Sequence, residues 1–226
     1  MCINAKVSIA TFIIASIVNI IVFTSTTNIN YLMFSGIYQF IILIQLFEFL
    51  AWKDQKCGKL NEFATKSIFV ATTLQPVVIT SIILLLSQVK SLLYRGIVTL
   101  ILIFYIGKTF HDLYYVRSTK EKNCDQCEEL SDPITCLKPT KTCKHLQFGW
   151  WNKQLKFTIY IFPIFLSILL LVNTFKFAMI HIIYLIVTGL LGDIIYSCNG
   201  LAGASSWCLL ATGGPILNYI LMKNNI

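Results

Sequence analysis

Two carboxylates, Glu48 and Asp193, lie within apolar runs that are long enough to cross a membrane. A charge at the centre of such a helix costs about 2.5–3.5 kcal/mol, so an intramembrane acid is typical of a pathway for protons, ions or solutes. Gln45 precedes Glu48 by three residues and therefore shares its helix face. The alternative is that both acids lie near helix ends and reach headgroup water, since one turn covers only about 6 Å.

Two prolines follow a serine at the same spacing, Pro76 after Ser67 and Pro215 after Ser206, and Gln75 precedes the first of them. A proline inside a helix frees the carbonyl four residues before it, which is how broken helices form solute sites. The alternative is a simple packing kink. The sequence predicts a polar transport pathway lined by Glu48, Asp193, Gln45, Gln75, Pro76 and Pro215.

Other ionisable residues have less specific interpretations. Lys108 shares a helix face with His111 or Asp112, as a proton-accepting cluster or, more simply, an interfacial anchor. His181 stands alone in its run, and we expect a hydrogen-bonded packing residue.

Enzymatic chemistry is not expected. No two histidines are four residues apart, and neither a nucleophile elbow nor a Gly-rich phosphate loop occurs. The last apolar run has no lysine at its middle, so no retinal is expected either.

Half of the eight cysteines lie in one polar stretch, with the spacing Cys124-x2-Cys127-x8-Cys136-x6-Cys143 followed by His145. In a reducing compartment these side chains could bind one zinc ion; in an oxidising compartment the four thiols would form two disulfides. Both alternatives stay open, and a solvated linker or a docking surface for a protein partner is the third. If the side of the membrane that bears the N-terminus were exterior, Cys57 and Cys198 would be candidates for a further disulfide.

The composition excludes a soluble globular protein. Of 226 residues, 56% are hydrophobic and 12% charged, against about 25% charged residues in soluble domains. Uncharged runs of about 20 residues predict an all-α polytopic membrane protein with seven transmembrane helices. Four helices precede residue 115, a Cys-rich polar loop covers 116–156, and three helices occupy 157–226. The predicted spans are 7–25, 31–52, 64–87, 92–114, 157–173, 177–197 and 203–222.

The matched serine and proline spacing, together with an acid one turn from the end of the preceding helix, suggests an internal repeat. The two triplets of helices would then be parallel copies in a 3+1+3 arrangement. Chance matching between apolar helices is the alternative.

Lysine and arginine predict the orientation. Thirteen of the 18 lie on the side of the membrane that bears the N-terminus, here called side A, four lie on the opposite side, side B, and Lys108 lies within the fourth predicted span. The positive-inside rule places side A in the cytoplasm. Since the basic residues serve orientation, lipid is the expected partner and nucleic acid is not.

Several short motifs occur in a familiar order: Gln45-Leu-Phe-Glu48-Phe-Leu-Ala-Trp52, Asn61-Glu-Phe-Ala-Thr-Lys66, Leu74-Gln75-Pro76, Cys143-Lys-His145-Leu-Gln-Phe-Gly-Trp150 and Ser206-Trp207-Cys208. The chain thereby resembles a family of uncharacterised multi-pass membrane proteins encoded mainly by large nucleocytoplasmic DNA viruses. The resemblance implies a viral origin and a virion or host intracellular membrane, but no activity. Two functions therefore remain: a transporter or channel for protons, cations or small solutes, and a structural or scaffolding protein that uses the Cys-rich loop for contact.

Overall fold

The computed structural model describes residues 4–118, 154–196 and 212–225, with side chains for 4–114, 162–191 and 212–225. The described residues form seven helices and no strand. They are α1 (Ala5–Ser25), α2 (Ile29–Lys53), α3 (Lys59–Leu86), α4 (Leu92–Ser118), α5 (Gln154–Leu171), α6 (Phe175–Tyr196) and α7 (Gly214–Lys223). The all-α prediction is confirmed for this part of the chain.

Four of these helices, α1 to α4, are long and apolar enough to cross a membrane. Their connections are short, at 26–28, 54–58 and 87–91, so consecutive helices pack antiparallel. The predicted hairpin between the fifth and sixth helices is confirmed, since only 172–174 separate α5 from α6. The crossing of all seven helices remains a prediction, because α7 is described over ten residues only.

The helix starts differ from the predicted spans where polar residues extend a helix beyond the apolar run. α3 begins at Lys59, not at residue 64, because a polar first turn precedes the apolar run. The side chain of Asn61 donates from Nδ2 to the carbonyl of Ala51 at 3.1 Å and so fixes this turn against the end of α2. α4 similarly continues to Ser118.

The centre of the bundle is formed by α2 and α3, against which α1, α4, α5 and α7 pack; α6 contacts α2 through aromatic rings. In their apolar windows 56% of α2 and α3 is buried, compared with 22% of α1 and 17% of α4. The exposed residues of α1 and α4 are large and apolar, as a lipid-facing surface requires. They include Ile13, Ile14, Ile17 and Ile20 on α1, and Leu100, Ile103, Phe104 and Phe110 on α4.

Candidate functional site

Glu48 is buried inside the bundle. Its side chain has 0% exposure, as has that of Gln45 one turn before it. The shared helix face predicted from their spacing is therefore confirmed, and it faces protein. The side chain of Glu48 has no surface on the lipid-facing side of the bundle.

Asp193 belongs to α6, and its side chain lies outside the described residues. Aromatic contacts show that α6 runs in the same direction as α2, since Tyr31 contacts Phe177 and Tyr38 contacts Tyr184. Glu48 lies about 15 Å beyond Tyr38 along α2, and Asp193 lies about 14 Å beyond Tyr184 along α6. The backbones of the two acids are thus at similar depths.

Gln75 and Pro76 are both buried on α3. The helix continues through Pro76 without a break, so the expected interruption at this proline is wrong. The hydroxyl of Thr109 on α4 donates to the carbonyl of Thr73 at 3.1 Å, at the turn that the proline disturbs. The carbonyl of Thr73 is next to that of Thr72, which Pro76 leaves without a helical N–H partner, so a neighbouring helix packs closely at this turn.

Pro215 lies in the first turn of α7, where the missing N–H costs no hydrogen bond. Residues 212 and 213 form a turn immediately before it, and 197–211 lie outside the described residues. The interpretation of Pro215 as an interruption within a longer helix therefore stays a prediction.

A second polar cluster, which the sequence did not predict, ties α2 to α1 and α7. Asn19 Nδ2 donates to the carbonyl of Ser35 at 3.0 Å and to Oε1 of Gln39 at 3.1 Å. Asn218 Nδ2 donates to Oγ of Ser35 and to the carbonyl of Tyr31, both at 3.0 Å. Asparagine is one of the polar residues that join helices by hydrogen bonds where water is absent.

His181 is hydrogen-bonded and packed, as expected. Its Nδ1 lies 2.7 Å from the hydroxyl of Tyr38, and both side chains have 0% exposure. The imidazole stacks on Phe34 with ring centroids 3.8 Å apart, and Phe177 meets it edge-on at 4.6 Å. The other nitrogen, Nε2, has no hydrogen-bond partner in the described part of the chain.

The cluster at the end of α4 forms as the spacing predicted. Lys108 Nζ lies 3.0 Å from Oδ2 of Asp112, and both side chains are largely buried. His111 is 73% exposed and lies 3.3 Å from Oδ1 of Asp112. The geometry suits an anchor at the side-A interface.

Asp54 organises the loop between α2 and α3. One of its carboxylate oxygens accepts the backbone N–H of Asn61 at 3.2 Å. This hydrogen bond, helped by those from the N–H groups of Gly58, Lys56 and Leu60, lowers the pKa of the Asp54 carboxyl. The ionised form of Asp54 therefore stabilises the start of α3.

The proposed zinc ligands lie outside the described residues: Cys124, Cys127, Cys136, Cys143 and His145. Within those residues no group of three or more His, Cys, Asp or Glu could hold a metal ion. Cys57, in the side-A loop after α2, is disulfide-bonded, whereas Cys198 lies outside the described residues. A disulfide in this loop is typical of an oxidising compartment and so disagrees with the cytoplasmic placement of side A.

Two clefts in the described part of the chain open at side B. One, of about 600 Å³, is lined by Tyr31, Phe177 and polar residues of the α1–α2 and α5–α6 loops. The other, of about 800 Å³, contains Lys90 and Arg95. The guanidinium of Arg95 donates to the carbonyls of Leu84 and Ser87 and so caps the end of α3.

No family model matches this chain, and no curated protein or solved structure matches it. The geometry of the described residues is therefore the basis for a functional proposal.

Proposed function

We propose that this protein is a seven-helix integral membrane transporter or channel that moves protons, cations or a small polar solute along a route containing Glu48. The observation that carries the proposal is the complete burial of the Glu48 side chain on the central helix. A carboxylate at this position costs free energy that an apolar side chain would avoid, and intramembrane acids are typical of transport pathways.

The other predicted pathway residues support the same route. Gln45 and Gln75 are buried on the two central helices, and Asp193 lies at about the depth of Glu48 on a parallel helix. In this proposal the two acids belong to equivalent helices of a 3+1+3 repeat, with Pro215 interrupting the last span as predicted from the sequence.

For orientation we propose a cytoplasmic N-terminus, with the 116–156 loop on the same side. The lysine asymmetry extends over the whole chain and carries this placement; the disulfide at Cys57 counts against it. Glycosylation acceptor sites inserted near Cys57 and at the C-terminus test the placement, because only acceptors on the lumenal side are modified. Glycosylation near Cys57 would show that side A is lumenal and would contradict the proposed orientation.

The membrane itself is proposed from the sequence resemblance, which implies a virion or host intracellular membrane. A protein partner at the Cys-rich loop belongs to the structural alternative, and the flux experiment below decides between the two functions.

The experiment uses the full chain in proteoliposomes, with flux of protons, K⁺, Na⁺ and sugars measured separately. Glu48→Gln keeps the shape of the side chain and removes its charge, and we expect it to abolish flux while the protein stays monodisperse. Glu62→Gln is the matched control, because Glu62 is a carboxylate of α3 with a 43% exposed side chain. No flux in the parent, or equal flux in the parent and Glu48→Gln, would favour the structural alternative.

A further inference from the structure

We infer that the transported species is the proton, and that Tyr38 and His181 relay it through the dry middle of the bundle. This inference rests on the proposed function and deepens it, since a route through Glu48 alone does not distinguish protons from larger solutes. Its basis is a line of buried polar groups that continues from Glu48 to the cleft lined by Tyr31 and Phe177, here called the side-B cleft.

The line follows one face of α2. Tyr31, Ser35, Tyr38, Gln45 and Glu48 are all buried, and their spacings of three, four and seven residues place them along one stripe. From Tyr31 to Glu48 the stripe covers about 26 Å of helix axis, close to the hydrocarbon thickness of about 30 Å.

Ile41 and Ile42 interrupt the stripe between Tyr38 and Gln45, and Gln75 of α3 lies at this depth. The antiparallel pair is aligned at one end by the bond from Asn61 to Ala51 and at the other by the approach of Gly36 to Ile82. Interpolation between these points puts Gln75 level with about Ile41. Nε2 of Gln75 has no hydrogen-bond partner among the described residues, although the side chain is only 5% exposed.

The middle of the line is too tightly packed for a hydrated ion. Phe34 packs on the rings of Tyr38 and His181, and Phe177 packs on that of His181. These two phenylalanines and the α2 residues Ile37, Ile41 and Ile42 are at most 2% exposed. A proton needs no space of its own, because it moves between hydrogen-bonded atoms. The Tyr38 hydroxyl and His181 Nδ1, 2.7 Å apart, provide such a contact.

The side-B cleft begins one helical turn from the imidazole. Phe177 and Tyr31 both line that cleft, and Phe177 precedes His181 by four residues, about 6 Å along α6. Water in a cleft of about 600 Å³ could therefore approach the relay from side B, while Gln75, Gln45 and Glu48 lead away from it to side A.

The relay step is a balanced proton exchange. His181 takes up a proton at Nε2, the nitrogen that faces no partner in the described structure, and releases its Nδ1 proton to the oxygen of Tyr38. Tyr38 in turn gives up its hydroxyl proton toward the Glu48 carboxylate, the acceptor at the side-A end of the line, so Tyr38 and His181 both end uncharged. Return of the imidazole to its first tautomer resets the step. Among the described residues the titratable groups facing the pair are its own two members and Tyr184, which contacts the ring of Tyr38.

The test measures proton flux into proteoliposomes of the full chain with an internal pH dye, alongside K⁺ and Na⁺ flux. We expect proton flux in the parent without K⁺ or Na⁺ flux, and loss of proton flux to the level of protein-free vesicles in His181→Gln. Tyr38→Phe keeps the ring and removes the hydroxyl, and we expect the same loss. Tyr105→Phe is the matched control, since Tyr105 is equally buried but lies on α4, away from the line; it should keep the flux of the parent.

Three outcomes would overturn the relay. The first is K⁺ or Na⁺ flux in the parent as fast as proton flux, which needs no variant and so remains decisive if a variant fails to fold. The second is proton flux that survives in both His181→Gln and Tyr38→Phe. If Glu48→Gln still abolishes flux in either case, the proposed function stands and only the relay falls. The third is flux that neither these variants nor Glu48→Gln changes, which overturns both.

Discussion

Replacement of Gly214 by alanine tests how tightly α7 is packed against the centre of the bundle. Gly214 is buried at the start of α7, and a Cβ built on it would overlap ring carbons of Tyr38. That ring cannot move aside freely, because Tyr38 is hydrogen-bonded to His181 and packed against Phe34 and Tyr184. Overpacking of this kind costs about 1–3 kcal/mol, and more where the neighbours are fixed.

The chain supplies graded controls for the same substitution. A Cβ at Gly96 or Gly107 on α4 meets nothing within 4 Å, and one at Gly36 meets Ile82 at an ordinary 3.8 Å. Alanine is favoured over glycine inside a helix by about 0.5–1 kcal/mol, so Gly96→Ala and Gly107→Ala should be neutral or stabilising. We expect Gly214→Ala to unfold about 1.5–4 kcal/mol more easily than these controls, from the overpacking cost and the alanine gain together.

The assay is thermal unfolding in detergent, where each kcal/mol corresponds to about 2–4 °C in a chain of this size. A second substitution identifies the clash. Because the overlapping atoms are ring carbons, Tyr38→Leu should rescue Gly214→Ala, whereas Tyr38→Phe should not. Equal melting temperatures for Gly214→Ala and Gly107→Ala, or equal rescue by leucine and phenylalanine, would show that α7 does not pack on Tyr38 as described.

Three further predictions concern the loops. The pKa of Asp54 is lowered in the folded state, so its stabilisation is present above the ordinary Asp pKa of about 4 and is lost as the pH falls through the lowered value. The melting temperature of Asp54→Asn should therefore fall less than that of the parent as the pH is lowered through this range. Arg95→Met should lower stability by about 1–3 kcal/mol through loss of the charged hydrogen bonds that cap α3, whereas Lys90→Met, which removes a charge from the same cleft, should change the melting temperature little. If side A is cytoplasmic, metal analysis should find about one zinc per chain, and disulfides found by non-reducing mass spectrometry would exclude that site at Cys124, Cys127, Cys136 and Cys143.

The positions of α1 to α4 follow directly from the sequence, because uncharged runs of about 20 residues have one stable conformation in lipid. Helix ends were less accurate where polar turns project beyond the apolar run. The first turn of α3 carries Lys59, Asn61 and Glu62, which hydropathy assigns to a loop. Its helical state depends on the contact of Asn61 with Ala51, which exists only once α3 packs against α2.

The candidate site was only partly predictable, because it too depends on contacts between helices that are distant in the sequence. The buried face of α2 repeats every three to four residues in the sequence, so the alignment of Tyr31, Ser35, Tyr38 and Gln45 could have been found from spacing alone. The partner of Tyr38 could not. His181 lies 143 residues away, and only the packing of α6 beside α2 brings the two rings together.

The polar groups of the bundle differ in whether helix packing is enough to account for them. Asn19 and Asn218 donate hydrogen bonds that join α1 and α7 to α2, and the stability these bonds provide accounts for both residues. His181 Nε2 and Gln75 Nε2 make no such bond within the described structure. A buried polar atom without a partner costs about 1–3 kcal/mol, and an apolar side chain of similar size would avoid that cost. Within the described residues Oδ1 of Asn19, Oδ1 of Asn218, Nε1 of Trp52 and Oγ1 of Thr80 bear this cost as well. Nε2 of His181 and Nε2 of Gln75 bear it on the line between Glu48 and the cleft lined by Tyr31 and Phe177, where the proposed proton route would use them.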